Sequence, residues 1–399
     1  MVPKGWEVKS FAKLLKSGDV EKIQDGNHGD SHPKSSDFVK SGIPFVMARD
    51  LKKGTVDLEN CAYITKEQAD SLRIGFAKTG DILLSHKGTV GLVAIVPLCD
   101  EYMMLTPQVT YYRIPQDSSL MSSYLYQFLL SHEYQSRFKN LAFQSTRSYL
   151  GITAQKELSI NLPPLPEQQK IAKILSTWDK AISTTERLIE NSTQQKKALM
   201  QQLLTGKKRL LDDSGKRFEG EWEEGKLADF AKIKKGKALS SKDLKEGSYP
   251  VIAGGKSSPY THSDFTHENV ITVSASGAYA GYVAYFDYRI WASDCSVLEP
   301  KGDNNIKYLY YWLSNQQQKI YTLQSGGAQP HIYPRDLESM KISIPSCIEQ
   351  QKIAIMLTNA DKEIELLEQQ LADLQQEKKA LMQVLLTGKK RVVVNGEFA

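Results

Sequence analysis

Three short segments carry residue types at spacings that chemistry could use. Gly255-Lys256-Ser257 ends as a phosphate-cradling loop ends, but the first glycine of that motif would fall at Pro250, so the cradle fails. His28 and His32 share the spacing of a zinc-binding helix, yet no glutamate sits beside them to act as base, and they read as loop or surface histidines. Asn161-Leu162-Pro163-Pro164 has the wrong order for a motif that methylates the amino group of a base. There is no Gly-x-Ser-x-Gly elbow, no glycine-rich dinucleotide turn and no acidic cluster for two-metal hydrolysis. The chain reads as non-catalytic, with no cofactor or metal of its own.

An internal repeat organises everything else. Glu167-Gln168-Gln169-Lys170-Ile171-Ala172 recurs at Glu349-Gln350-Gln351-Lys352-Ile353-Ala354, and Leu203-Leu204-Thr205-Gly206-Lys207-Lys208-Arg209 recurs at Leu385-Leu386-Thr387-Gly388-Lys389-Lys390-Arg391, both offset by 182 residues. Aligning 160–209 with 342–391 needs no gap and gives 27 identities in 50 positions. The segments are duplicates.

Each copy has the pattern of one long helix. Ile353, Leu357, Ala360, Ile364, Leu367, Leu371, Leu374, Lys378, Leu381 and Leu385 follow a spacing of alternately four and three, and nine of these ten are apolar. In the first copy the matching seam is looser, with seven of ten apolar from Ile171 to Leu203. Prolines precede both helices, and Gly206 and Gly388 close them. A helix of about 35 residues is on the order of 50 Å long and its stripe needs a partner. The partner expected is the other copy, antiparallel, with Ile171 facing Leu385, Trp178 facing Lys378 and Ala360 facing Lys196. Ordinary packing faces in a larger helical core are the competing reading.

The remaining sequence, with short β-branched and aromatic runs broken by Gly, Pro, Asn and Asp, reads as two small mixed domains. They begin alike, at Gly5-Trp6-Glu7-Val8 and Glu221-Trp222-Glu223-Glu224, and Ser85-His86-Lys87-Gly88 resembles Ser274-Ala275-Ser276-Gly277. The expected fold class is α+β: two mixed α/β domains separated by two long helices forming an antiparallel coiled coil, a pseudo-two-fold internal repeat. The segments are 1–157, a first mixed domain; 158–210, a first long helix; 211–339, a second mixed domain; and 340–399, a second long helix and tail.

Composition agrees with a globular protein. The chain has 399 residues, 51 basic against 46 acidic for a net +5, 41% hydrophobic and 24% charged, which excludes disorder and collagen-like structure. No apolar run approaches the roughly 18–20 residues that span a bilayer, so no membrane partner is expected. The start, Met1 to Glu7, lacks the apolar core of a signal peptide. The four cysteines (Cys61, Cys99, Cys295, Cys347) lie far apart, which suits a reducing cytoplasm, the expected location.

Two variable domains, each followed by a helix opening Glu-Gln-Gln-Lys-Ile-Ala and ending Leu-Leu-Thr-Gly-Lys-Lys-Arg, resemble the specificity subunit of a type I restriction–modification system. Gly42-Ile43-Pro44-Phe45-Val46, Gly80-Asp81-Ile82-Leu83, Tyr249-Pro250-Val251-Ile252-Ala253-Gly254-Gly255 and Val270 to Ala278 are similar to recurrent blocks of its target-recognition domains. The second helix departs in its lead-in, Pro345-Ser346-Cys347-Ile348 in place of Pro163-Pro164-Leu165-Pro166. The resemblance implies a non-catalytic subunit for host defence that recognises an asymmetric bipartite target in double-stranded DNA. Its helices would act as ruler and as docking surface for two modification subunits, which themselves hold S-adenosylmethionine and methylate adenine. A translocating restriction subunit can join them.

On that resemblance the DNA-contact candidates are polar residues of exposed loops. Lys87 and Ser276 lead, since each precedes a glycine suited to a tight turn; Arg147 and Gln329 are equivalent under the 182-residue offset. Arg49, Lys52, His86, Tyr149, Lys256, Tyr279 and His331 complete the set, with Asn27, His28, Lys34, Lys53, Ser145, Lys235, Lys237 and Ser257 as further loop candidates. The basic ends Lys207-Lys208-Arg209 and Lys389-Lys390-Arg391 are candidates for partner binding, for phosphate, or for complementing the helix termini. Residues 1–159 carry 19 basic and 17 acidic groups (+2), and 210–341 carry 16 and 17 (−1), so neither domain is strongly basic. The subunit alone should bind DNA weakly. A self-sufficient enzyme with an unrecognised site, or a coiled-coil scaffold for proteins or glycans, are the other classes.

Overall fold

The computed structural model describes the chain apart from residues 1, 30, 143–147, 241, 256–259, 327–328, 395–396 and 399. It divides into two units, one built from 1–186 and 369–399, the other from 187–368. Each long helix spans 39 residues, Leu165–Leu203 and Cys347–Leu385, and contributes to both units.

The first unit holds two four-stranded sheets. One runs in the order Lys22–Asp25, Val109–Arg113, Ile82–Ser85, Val93–Ile95, antiparallel throughout. Its two faces alternate as strands must. Ile23, Ile82, Leu84, Val93 and Tyr112 face the helices Ser122–Leu129 and His132–Ala142, sharing a core with Leu125, Phe128 and Phe138. Leu83, Ala94, Val96, Val109 and Tyr111 form a second core with Leu51 and Val56 of the hairpin Leu51–Lys52/Thr55–Val56 and with Val46 and Leu105 of the other sheet. That sheet runs Ala62–Ile64, Ile43–Val46, Met103–Leu105, Phe76–Ala77.

The second unit repeats the plan where its sequence has diverged. Ala231–Lys235, Cys295–Pro300, Val270–Ser274 and Val283–Phe286 form an antiparallel sheet in the equivalent order, with Ile271, Val273, Val283 and Leu298 facing a helical core. A smaller sheet of Thr261–His262, Tyr249–Ile252 and Trp291–Ala292 replaces the second sheet. A two-stranded pair ties the start of each domain to the residues before its long helix: Glu7–Ser10 with Ser159–Leu162, and Glu223–Lys226 with Lys341–Ile344.

The antiparallel seam is present in each unit. Ile171 and Leu175 share a core with Met382, Leu385 and Leu386; Leu203 and Leu204 share one with Ile353, Ala354 and Leu357. The seam lysines end differently from expectation. Lys378 pairs with Asp179 at 2.5 Å and Lys196 pairs with Asp361, so each ammonium ends on the carboxylate one residue beyond the expected Trp178 and Ala360. A carboxylate in reach offers a charge-assisted hydrogen bond that an indole or a methyl group cannot.

The duplicated motifs interlock. Glu349, fully buried, takes a two-point bond from Arg209, both arms at 2.7 Å; Glu167 takes the same from Arg391. Gln168 donates to the carbonyl of Pro163 at 2.8 Å and accepts from the backbone N–H of Met121 at 2.9 Å. Gln350 repeats this with Pro345 at 3.0 Å and Asn305 at 2.9 Å. Gly206 and Gly388, each at φ 71°, turn the chain out of the helix in the left-handed conformation that glycine tolerates.

Candidate nucleic-acid interface

The clearest feature shared by the two sheets is a glycine turn after one central strand. In the first unit it runs from Ser85 to Gly91, with Gly88 at φ 77° and Gly91 at φ 103°; in the second from Ser274 to Gly281, with Gly277 at φ 82° and Gly281 at φ 89°. The amide of Gly91 donates to the carbonyl of Ser85 at 2.9 Å, and that of Gly281 to Ser274 at 2.8 Å. Gln135 donates to the carbonyl of Gly91 at 2.9 Å, and Gln317 to that of Gly281 at 2.7 Å.

A second strand-like segment is stitched to each turn. Gly88 N–H donates to the carbonyl of Ser148 at 3.0 Å and Leu150 N–H to that of His86 at 2.8 Å; Gly277 N–H donates to Pro330 at 3.1 Å and Ile332 N–H to Ala275 at 2.9 Å. Lys87 is thereby bridged to Tyr149, and Ser276 to His331. Four backbone and side-chain bonds therefore recur between units that share little sequence, and they present the same small platform twice.

The side chains on the platforms differ. Lys87 and Tyr149 are exposed in the first unit. In the second, Tyr279 and Gln329 are exposed, His331 is half-buried and stacks on Tyr333 with ring centres 6.2 Å apart, and the Ser276 hydroxyl donates to Asp294. Exposed lysine, amide and aromatic groups on a rigid turn can bond phosphates and base edges.

Other candidates lie elsewhere or are engaged. His86 is buried at 1% exposure, which corrects the expectation of an exposed contact: its Nε2 lies 3.3 Å from the Asp25 carboxylate and its ring packs 5.5 Å from Tyr149. Burial holds its pKa below the usual value, against the opposing pull of Asp25. Lys52 pairs with Asp57 at 2.7 Å in the hairpin, and Arg49 is exposed in the short turn Ala48–Asp50. Asn27 is buried, which removes it from the exposed loops. Arg147, Lys256, Ser145 and Ser257 lie outside the described residues. At the basic ends the arginines close the interlock with Glu349 and Glu167, so Lys207, Lys208, Lys389 and Lys390 are the cations those ends expose.

Gln135 and Gln317, which pin the turns, were not among the candidates. They sit 182 residues apart, as do Tyr149 and His331, so extending the repeat alignment beyond the helices would have flagged them. Among the described residues no group of three or more His, Cys, Asp or Glu is arranged to hold a metal ion, and no helix is long and apolar enough to cross a membrane.

Known proteins share this arrangement. A family described as the type I restriction modification DNA specificity domain matches residues 3–192 and 219–376. The chain is 28% identical over 425 aligned positions to a protein of Methanocaldococcus jannaschii assigned as the specificity subunit of type I restriction enzyme MjaX, covering 98% of this chain and 95% of that one. It is 24% identical to the MjaVIII specificity subunit of the same organism, covering 98% and 94%. The crystal structure of a type I restriction–modification S subunit from M. genitalium superposes with a TM-score of 0.65 at 18% identity, covering 96% of each chain, which establishes a shared fold.

Proposed function

Because the chain belongs to the type I restriction–modification DNA specificity family, we propose that it supplies the sequence address of a DNA-modifying complex and performs no chemistry itself. Each unit reads one half of a split target in double-stranded DNA. The halves differ because the side chains on the two platforms differ, Lys87 and Tyr149 in one, Tyr279, Gln329 and His331 in the other. Two modification subunits carrying S-adenosylmethionine dock on the long helices, with Lys207, Lys208, Lys389 and Lys390 as contributors, and methylate adenine. A translocating restriction subunit can join the same assembly in the cytoplasm.

The observation that supports this reading is the repeated platform: a common backbone stitched by equivalent bonds and carrying different polar groups. A scaffold that bound one ligand twice would have kept the groups and not only the frame. The test is base-modification sequencing of host DNA with and without the gene. Deletion should erase one split, asymmetric, adenine-methylated motif, and exchanging residues 211–339 for another version should change one half of it. If no motif disappears even with a matched modification subunit supplied, the reading fails.

A further inference from the structure

The duplication supplies an internal control for one cavity. In the first unit, the sheet face bearing Leu83, Ala94 and Val96 is sealed by Leu51 and Val56 of the hairpin. The 15 residues from 47 to 61, between strands Ile43–Val46 and Ala62–Ile64, provide that hairpin. In the second unit only eight residues, 253 to 260, join the equivalent strands Tyr249–Ile252 and Thr261–His262. The pairing Leu83 to Ala94 in one sheet corresponds to Thr272 to Ala284 in the other. There Thr272 and Ser274 border a cavity of 280 Å³, lined also by Pro250, Ile252, Ala284 and Phe286, with Tyr282 and Tyr288 on its wall.

Its chemistry is specific. Among the described residues no charged side chain lines it, and the lining they provide suits a neutral group. Phe286 and Tyr288 meet nearly at right angles (79°) with ring centres 5.6 Å apart, offering aromatic surface to a flat ring. The volume is at the lower edge of the roughly 300–1,000 Å³ of small-molecule sites, enough for one ring system. One polar group on the wall is unsatisfied. In the first unit the Ser85 hydroxyl accepts from the N–H of Leu92 at 2.9 Å; in the second the corresponding N–H, of Tyr282, goes to the carbonyl of Tyr279, and the buried Ser274 hydroxyl has no partner. An orphaned buried hydroxyl is costly unless a ligand completes it. The wall also adjoins the glycine turn: a Cβ at Gly254 would stand 2.6 Å from the carbonyl oxygen of Ser276.

We propose that this cavity receives a single nucleobase, stacked against Phe286 and Tyr288 and hydrogen-bonded by Ser274. A nucleobase is the neutral, flat, hydrogen-bonding ring that a platform on DNA would meet. The inference rests on the DNA-reading function proposed above. A base reaching the cavity from the bound duplex must leave its stack, so the second unit would read one position outside the helix and the first unit, whose equivalent face is filled, would not.

The test uses the full chain assembled with its modification subunits and duplexes carrying the mapped target. A single mismatch is placed at each position of the half read by residues 211–339. Extrusion is easier for an unpaired base, so one mismatch should raise affinity by at least about fivefold while the others lower it. Ala284→Trp, which fills the cavity, should abolish the rise, and the milder Ser274→Ala should reduce it; thermal unfolding confirms that both fold. In a second arm, adenosine, guanosine, cytidine and thymidine are offered without DNA, and binding is read by saturation-transfer NMR. A rise with mismatched duplex identifies the duplex as the source, and Ala284→Trp-sensitive binding of a nucleoside identifies a free base. If no mismatch gains affinity and no nucleoside binds, the proposal is overturned, while an intact target motif would leave the DNA-reading function standing.

Discussion

Two buried ionisable residues show how differently single groups are settled here. Glu349 is fully buried and its charge is met by both arms of Arg209. Removing one partner strands a buried carboxylate, so Arg209→Ala should destabilise the protein by about 3–5 kcal/mol in urea unfolding. Arg391→Ala should cost less, because Glu167 keeps a bond from the Trp6 indole at 3.2 Å, whereas the Trp222 indole nitrogen has no partner. Equal losses from both variants would contradict this difference. His86 behaves oppositely: burial keeps it neutral and its pKa below 6.5. Between its folded pKa and 6.5 the unfolded chain binds the extra proton and the folded chain does not. Its contribution is therefore complete above 6.5 and is lost as pH falls from there toward the folded pKa. Thermal unfolding between about pH 7.5 and about pH 5.5 should show an acid-side loss that His86→Gln flattens.

The long helices were legible as elements because their seam repeats over many turns, and every expected seam position from Ile171 to Leu203 and from Ile353 to Leu385 is buried or half-buried. What the periodicity did not reveal was the end of each seam lysine, since a side chain of that length can reach several neighbours. Asp361 holds Lys196 and also accepts from the Tyr311 hydroxyl at 2.6 Å. Lys196→Asp should cost about 1 kcal/mol through like-charge contact in this partly exposed site, and adding Asp361→Lys should recover much of it. A double variant no better than the sum of its single changes would show that the pair is not coupled. The hairpin Leu51–Lys52/Thr55–Val56 and the cavity of the second unit were not legible, because short strands in loop-like sequence carry no periodic signal.

At the scale of the whole molecule, charge limits what this chain does alone. The domain segments sum to +2 and −1, and two of the cations at the helix ends are consumed by the Glu167 and Glu349 interlocks. Binding of the isolated chain to DNA carrying its target should be weak at physiological salt, with Kd near the roughly 10⁻⁴–10⁻⁶ M of non-specific contacts, and should tighten when modification subunits add phosphate contacts. Nanomolar binding by the chain alone in a titration at that salt would refute this.

The division of labour between sequence and tertiary structure follows from how each kind of information is stored. Duplication, helix length, antiparallel pairing and family were readable from sequence, because identity at a fixed offset and a heptad pattern are one-dimensional signals. The same offset already linked Glu167 with Glu349 and Arg209 with Arg391. Only the fold decided that Arg209 bonds Glu349 and Arg391 bonds Glu167, and that His86 is buried behind Tyr149. It alone paired Lys87 with Tyr149 and Ser276 with His331, and left a cavity in one unit where the other is filled. Those contacts join residues 55 or more positions apart, and long-range pairing is set by the closing of sheets and the packing of their faces, which no local pattern records.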